Sequence, residues 1–186
     1  IALSPASVAE NAPGSTFVGS LSATDQDGGD TFTYELVYGT GDGGNGLFEI
    51  VGDELRVKAG AVLDFESASS HSVRIRVTDA GGLTHEKVFV IDVTDVNEAP
   101  IYIGMSGNMV AENSTAGTVI GRLSASDPDA GETFTYELVS GTGDDGNGLF
   151  EIVGDELRVK AGAVLDSESA WSHSVRIRVT DSGGLA

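Results

Sequence analysis

The chain contains itself twice, and this repetition constrains its fold more than any other feature. "VAENAPG" beginning at Val8 returns as "VAENSTAG" at Val110, and "SATDQD" at Ser22 returns as "SASDPD" at Ser124. "GNGLFEIVGDELRVKAGAVLD" stands unchanged at Gly44 and at Gly146. Asp25 falls on Asp127 and Asp64 on Asp166, a constant offset of 102 positions, so the copies align without a gap. Between Gly39 and Asp79 only three positions differ from their counterparts: Gly43 becomes Asp145, Phe65 becomes Ser167, and Ser69 becomes Trp171. Two consecutive domains are predicted, 1–98 with the joining segment and 99–186. The second copy stops before the counterpart of Thr84–Thr94, so it is expected to lack its final strand and to be part of a longer polypeptide.

Each copy reads as all β. In "HSVRIRVTD" (His71–Asp79), Val73, Ile75 and Val77 alternate with Arg74, Arg76 and Thr78, the period of a strand with one buried face. "TFTYELV" from Thr31 sets Phe32, Tyr34 and Leu36 on one side, and "KVFVIDV" from Lys87 sets Phe89, Ile91 and Val93 on one side. Further strands are predicted over 16–23, 47–51 and 55–58, the last two joined by a tight turn at Gly52–Asp53. No segment carries a helical period. Short strands at this density predict an antiparallel β-sandwich in each copy.

The chain has 186 residues, with 29 Asp and Glu against 10 Lys and Arg, a formal net charge of −19. That balance argues against nucleic acid and anionic membranes, which both select cationic surfaces. Cysteine is absent, which removes disulfides and thiolate sites. No apolar run is long enough to span a membrane, so direct membrane insertion is not expected.

The informative acids stand where strands should end. Glu10 follows the first strand, Asp25 and Asp27 form a D-x-D after the next, and Asp64 and Glu66 form a D-x-E. Asp79 ends the Val73–Val77 run, and the joining segment "TDVNEAP" (Thr94–Pro100) holds Asp95, Asn97 and Glu98. Strand ends meet at the poles of a sandwich, so acids distant in sequence are able to converge there. Carboxylates, Asn side chains and backbone carbonyls suit a hard Ca²⁺ ion with six to eight oxygen ligands at about 2.3–2.6 Å. The absence of Cys, and of His near these motifs, disfavours zinc.

The succession A-E-N, D-x-D, L-D-x-E, V-T-D and D-x-N-E-A-P resembles the cadherin repeat, and in particular its bacterial cadherin-like form. The resemblance covers both copies nearly end to end. It implies a seven-stranded Greek-key sandwich and calcium ions at the junction between successive domains. Carried over by position, it implies ligands Glu10, Asp64 and Glu66 from the first copy and Asp127, Asp129 and Asp181 from the second. The joining segment supplies Asp95, Asn97, Glu98 and the backbone carbonyl of Val96. Asp25, Asp27 and Asp79 then form a partial site for a preceding repeat, and Glu112, Asp166 and Glu168 one for a following repeat. The joining segment is one residue shorter than the animal linker D-x-N-D-N-x-P, which leaves two or three ions open. No Trp lies near the N-terminus, so adhesion by docking an N-terminal Trp is not expected.

The resulting expectation is a calcium-binding, calcium-rigidified module of a large extracellular, secreted or cell-surface adhesin, acting in cell adhesion or as a rod-like spacer beside neighbouring repeats. The alternative is a calcium-dependent module binding carbohydrate or protein, such as cell-surface polysaccharide or another cadherin-like domain, or attached to a polysaccharide-degrading enzyme. Catalysis is not expected, because no strained nucleophile turn accompanies the Ser, His and Asp present. "GTGDGG" from Gly39 formally matches a dinucleotide fingerprint, but it precedes a strand rather than a helix and reads as a loop. His71 and His173 read as surface residues, and Trp171 as packing beside the junction or as a stacking platform.

Overall fold

Residues 1–26 and 29–186 are described by the structure, a computed structural model. They form two units, Ile1–Val96 and Asn97–Ala186. Asp27 lies outside the described residues.

Unit 1 contains β1 (Ala2–Ser4), β2 (Ser7–Ala9), β3 (Phe17–Ser22), β4 (Thr33–Leu36), β5 (Phe48–Val51), β6 (Glu54–Val57), β7 (Ser70–Thr78) and β8 (Thr84–Thr94). One sheet has the order β1-β3-β6-β5 and the other β2-β8-β7-β4. Among the described residues these pairings are antiparallel except β2 with β8, which run parallel. The chain enters through two short strands, one in each sheet, in place of the single first strand expected. The predicted alternation holds: Val73, Ile75 and Val77 are buried on β7, as are Ile91 and Val93 on β8. Val73, Ile75, Ile91 and Val93 meet Val18, Leu21, Phe48, Leu55, Val57 and Leu63 in one core between the sheets.

The Gly52–Asp53 turn forms as expected, joining β5 to β6 with Val51 opposite Glu54. Gly52 adopts φ +67°, the left-handed region that glycine enters without steric cost. A single 3₁₀ turn, Asn45–Leu47, precedes β5 and has no periodic signature in the sequence. Asn45 fastens it: its Nδ2 donates to the Val37 carbonyl at 2.9 Å, and its Oδ1 accepts the Arg74 N–H at 3.0 Å. The Gly39–Gly44 stretch is a loop, with Asp42 Oδ2 accepting the Gly39 N–H at 3.0 Å.

Unit 2 repeats this design with β9 (Tyr102–Met105), β10 (Val119–Ser126), β11 (Thr135–Leu138), β12 (Phe150–Val153), β13 (Glu156–Val159) and β14 (Ile177–Thr180). The first sheet is complete, β12-β13-β10-β9, with the same register. The second is reduced to β11-β14. The chain holds no counterpart of β8, residues 109–111 form no strand, and β14 covers only the end of the β7 counterpart.

His71 departs from expectation. It is half-buried, edge-on to Phe48 with ring centroids 6.4 Å apart, because its side chain lies over the core aromatic. Its counterpart His173 is exposed and meets Phe150 in the same way at 6.1 Å.

On the outer face of the β7–β8 pair, Glu86 accepts from Arg74 at 2.9 and 2.7 Å and from Arg76 at 2.9 and 2.8 Å. The hydrogen bonds from Arg76, and then Arg74, hold its carboxyl below the usual Glu range. A depressed folded-state value contributes stability that is complete above the ordinary Glu range and is lost as pH falls through the folded value. Melting temperature followed from neutral to acid pH should therefore drop less steeply in Glu86→Gln than in the parent. In the core, Leu63 is fully buried, and Leu63→Ala should cost about 2–5 kcal/mol in chemical denaturation of unit 1.

Candidate metal centre

The acidic motifs gather into separate groups because folding brings acids from the ends of different strands together. In unit 1, Glu10 follows β2 and is 3% exposed. Its Oε2 accepts the Phe65 N–H at 2.9 Å and its Oε1 the Val96 N–H at 2.8 Å, while its own N–H donates to Thr94 at 3.0 Å. One carboxylate thus ties together the β2 end, the turn after β6 and the chain leaving β8. Asp64 accepts from the Ser67 N–H at 2.9 Å and hydroxyl at 2.8 Å, and these bonds lower its pKa. Glu10, Asp64 and Glu66 each place an oxygen within 4.8 Å of the others. Burial raises the Glu66 pKa, and the negative charges of Glu10 and Asp95 add to the rise. Asp95 is exposed and acts on the group through its charge.

In unit 2, Asn97 and Glu98 join the D-x-D and the V-T-D aspartate. Asn97 Nδ2 donates to Asp181 Oδ2 at 2.9 Å, and the Glu98 N–H donates to Asp129 Oδ2 at 2.7 Å. The Asp129 N–H donates to Asp127 Oδ1 at 3.1 Å, the turn geometry that brings both carboxylates to one side. Asp181 is 5% exposed. Burial pushes its pKa up, but hydrogen bonds from Asn97 and from the Leu185, Gly184 and Gly183 amides outweigh it, and the carboxyl stays ionised below the usual range. Gly183 makes room for this arrangement: a Cβ there would stand 2.1 Å from Asn97 Oδ1.

Two buried oxygens, Asp127 Oδ2 and Asp129 Oδ1, have no hydrogen-bond partner among the described residues. Burying a carboxylate oxygen without a donor is costly, and a cation is the partner that relieves it. The donor set is carboxylate and amide oxygen throughout, which fits Ca²⁺ and offers no soft ligand for zinc.

Other acids singled out in the sequence also lie close together. Glu112, Asp166 and Glu168 come together, with Glu112 Oε2 accepting the Ser167 N–H at 3.0 Å and hydroxyl at 2.6 Å. Those bonds lower the Glu112 pKa. Asp25 and Asp79 come together with Asp30, a residue the sequence reading did not single out. Its counterpart Glu132 is also an acid and accepts from the Ser182 N–H at 2.9 Å, so an acid in both copies was the available signal. Trp171, read as packing beside the junction or as a stacking platform, is 94% exposed on unit 2.

The cadherin domain model matches residues 4–94 and 109–186. The chain belongs to the cadherin family. Human cadherin-12 is 30% identical over 184 residues, covering 91% of this chain and 23% of its own length. Mouse protocadherin Fat 4 is 27% identical over 183 residues, covering 96% of this chain and 4% of its own length. The chain therefore spans a quarter or less of these curated cadherins. Among solved structures, human protocadherin-24 EC1-2 has a TM-score of 0.66 at 22% identity, covering 96% of this chain and 85% of that one, a likeness of fold. The protocadherin gamma-B4 extracellular domain has a TM-score of 0.59 at 25% identity, covering 96% of this chain and 28% of that one. Cadherin domains are calcium-dependent adhesion modules, and both cadherin units here carry the acids at their strand ends.

Gly183→Ala should displace the Asn97 side chain and break its bond to Asp181. NMR hydrogen exchange of the Asn97 side-chain amide should be faster in the variant than in the parent.

Proposed function

We propose that this chain is a calcium-rigidified tandem module of a larger extracellular or cell-surface adhesin. The observation that carries the reading is the pair of buried, unpartnered oxygens on Asp127 and Asp129. Residues proposed to hold the metal are Glu10, Asp64, Glu66 and the Val96 carbonyl on unit 1, with Asn97, Glu98, Asp127, Asp129 and Asp181 on unit 2. Asp95 adds negative charge beside Glu66. Bound calcium supplies positive charge and extra coordination bonds to oxygens that otherwise repel one another.

The chain's own residues explain why such a metal would act on the joint. The Val96 N–H is already held by Glu10, and the next two residues, Asn97 and Glu98, are held by Asp181 and Asp129. The connecting peptide is therefore anchored on both sides by acids from the groups proposed as ligands. Without a counter-charge, repulsion among these carboxylates works against ordering that peptide, and it weakens as salt rises. Near-identical copies suit a spacer built from repeats, with neighbouring repeats as the immediate partners. The source proposed from the linker resemblance is bacterial.

Calorimetric titration should give a Kd of about 10⁻⁴–10⁻³ M, the range of extracellular calcium modules. A hundredfold excess of calcium over Kd should stabilise the chain by about 2.7 kcal/mol, read as a higher melting temperature than in EDTA. Asp129→Ala should lose most of this effect, whereas Asp53→Ala, in the β5–β6 turn, should retain it. Equal titrations for the two variants would reject the assignment.

A further inference from the structure

Asn45 fastens its 3₁₀ turn with a carboxamide that its sequence context makes reactive. The residue is half-buried and is followed by an exposed glycine, Gly46, and the pair recurs as Asn147–Gly148. An asparagine before glycine loses its carboxamide readily, because no side chain hinders attack by the next backbone nitrogen. Nothing in the fold calls for glycine at these two places. A Cβ on Gly46 or Gly148 would meet no non-neighbouring atom within 4 Å, and neither takes a positive φ. Gly44 is the contrasting case: it is buried, and its N–H donates to the Ser72 carbonyl at 2.7 Å. A Cβ there would stand 2.8 Å from that oxygen and from His71 Cβ.

We propose that Asn45 and Asn147 are deamidation sites that the fold keeps shut. Each converts to aspartate and isoaspartate only when its clamp opens, and conversion then prevents the clamp from re-forming. Water is the only reagent needed. The Gly46 nitrogen attacks Asn45 Cγ; the N–Cγ bond forms, the Cγ–Nδ2 bond breaks, and Nδ2 leaves as ammonia with the proton from Gly46. Water then opens the five-membered imide. Attack at Cγ gives aspartate, and attack at the backbone carbonyl gives isoaspartate, in which the chain runs through the former side chain.

The structure blocks each part of this route. Nδ2, the leaving group, donates to the Val37 carbonyl at 2.9 Å, and its counterpart donates to Val139 at 3.0 Å. Oδ1 accepts the Arg74 N–H in one unit and the Arg176 N–H in the other, both at 3.0 Å. The peptide that must swing onto Cγ is fixed as well: the Leu47 N–H donates to Gly44 at 2.9 Å and the Phe48 N–H to the Asn45 carbonyl. Ring closure requires the chain to leave the helical conformation of that turn. These bonds stand in unit 1, where β8 pairs along β7, so the assignment does not depend on which strands border the clamp.

The products cannot restore the clamp. A carboxylate has no N–H to offer the Val37 carbonyl, and Val37 is 8% exposed, so two acceptor oxygens would face each other with little water between them. Isoaspartate also adds a backbone carbon and displaces the turn. One opening followed by ring closure therefore leaves a lasting mark where the segment after β4, the 3₁₀ turn and β7 are tied together.

The test is peptide mapping by mass spectrometry of the 186-residue chain, incubated in mildly alkaline buffer with and without urea. Conversion of Asn45 should be at least about tenfold slower in the folded chain than in urea, as for a reaction that waits on local opening. Both aspartate and isoaspartate should form. Gly44→Ala, which pushes the turn off Ser72, should speed conversion of Asn45 in native buffer and leave Asn147 at the parent rate, whether or not unit 1 stays folded. Gly46→Ala fits the turn without a clash, so its melting temperature should match the parent's while its conversion in urea slows. Asn45→Asp should melt below both. Equal conversion of Asn45 in native buffer and urea would overturn the proposal, as would a Gly44→Ala rate no faster than the parent's. Aspartate without isoaspartate, or an undiminished rate in Gly46→Ala, would also overturn it, because the amide would then be lost by direct hydrolysis.

Discussion

The carboxylate of Glu10 is the contact on which the polar end of unit 1 depends. It is buried, so its charge must be met by donors, and both oxygens accept backbone N–H groups from segments far apart in sequence. The same principle, carried one step further, governs unit 2. There the D-x-D turn buries more carboxylate oxygen than the backbone has donors to satisfy, leaving one oxygen on each aspartate without a partner. A fold that collects strand ends at its poles delivers these acids together without any local sequence motif joining them.

Single substitutions between the copies show how sensitive this arrangement is to its surroundings. At the position after the L-D pair, Phe65 packs against the core of unit 1 and Glu10 beneath it is buried. In unit 2 the residue is Ser167, its hydroxyl donates to Glu112, and Glu112 is exposed. The backbone bond to the glutamate survives in both, 2.9 Å in one and 3.0 Å in the other. The two acids differ in solvation while this backbone bond stays the same, and Glu10 alone also receives the Val96 N–H.

Much of the fold was legible because strand periodicity and turn chemistry are local properties. The alternation through Val73, Ile75 and Val77 and the Gly52–Asp53 hairpin follow from pleating and from the left-handed backbone that glycine tolerates. The Asn45 clamp was not legible, since its two partners, Val37 and Arg74, lie 8 and 29 residues away. Asp30 escaped notice for a related reason: it belongs to no short motif and reaches Asp25 and Asp79 only through folding. Which of the two readings of Trp171 holds was not legible, because the sequence shows a large aromatic residue but not whether anything stands opposite it.

By itself, the sequence determined the duplication, the β-sandwich class, the family and the identity of the acids at the strand ends, all of which are properties of residue order and spacing. Tertiary structure alone decided which of those acids are buried, which receive backbone donors and which are left with an unpartnered oxygen. The physical reason is that desolvation and hydrogen-bond satisfaction depend on what lies across a few ångströms of space, which residue order does not show.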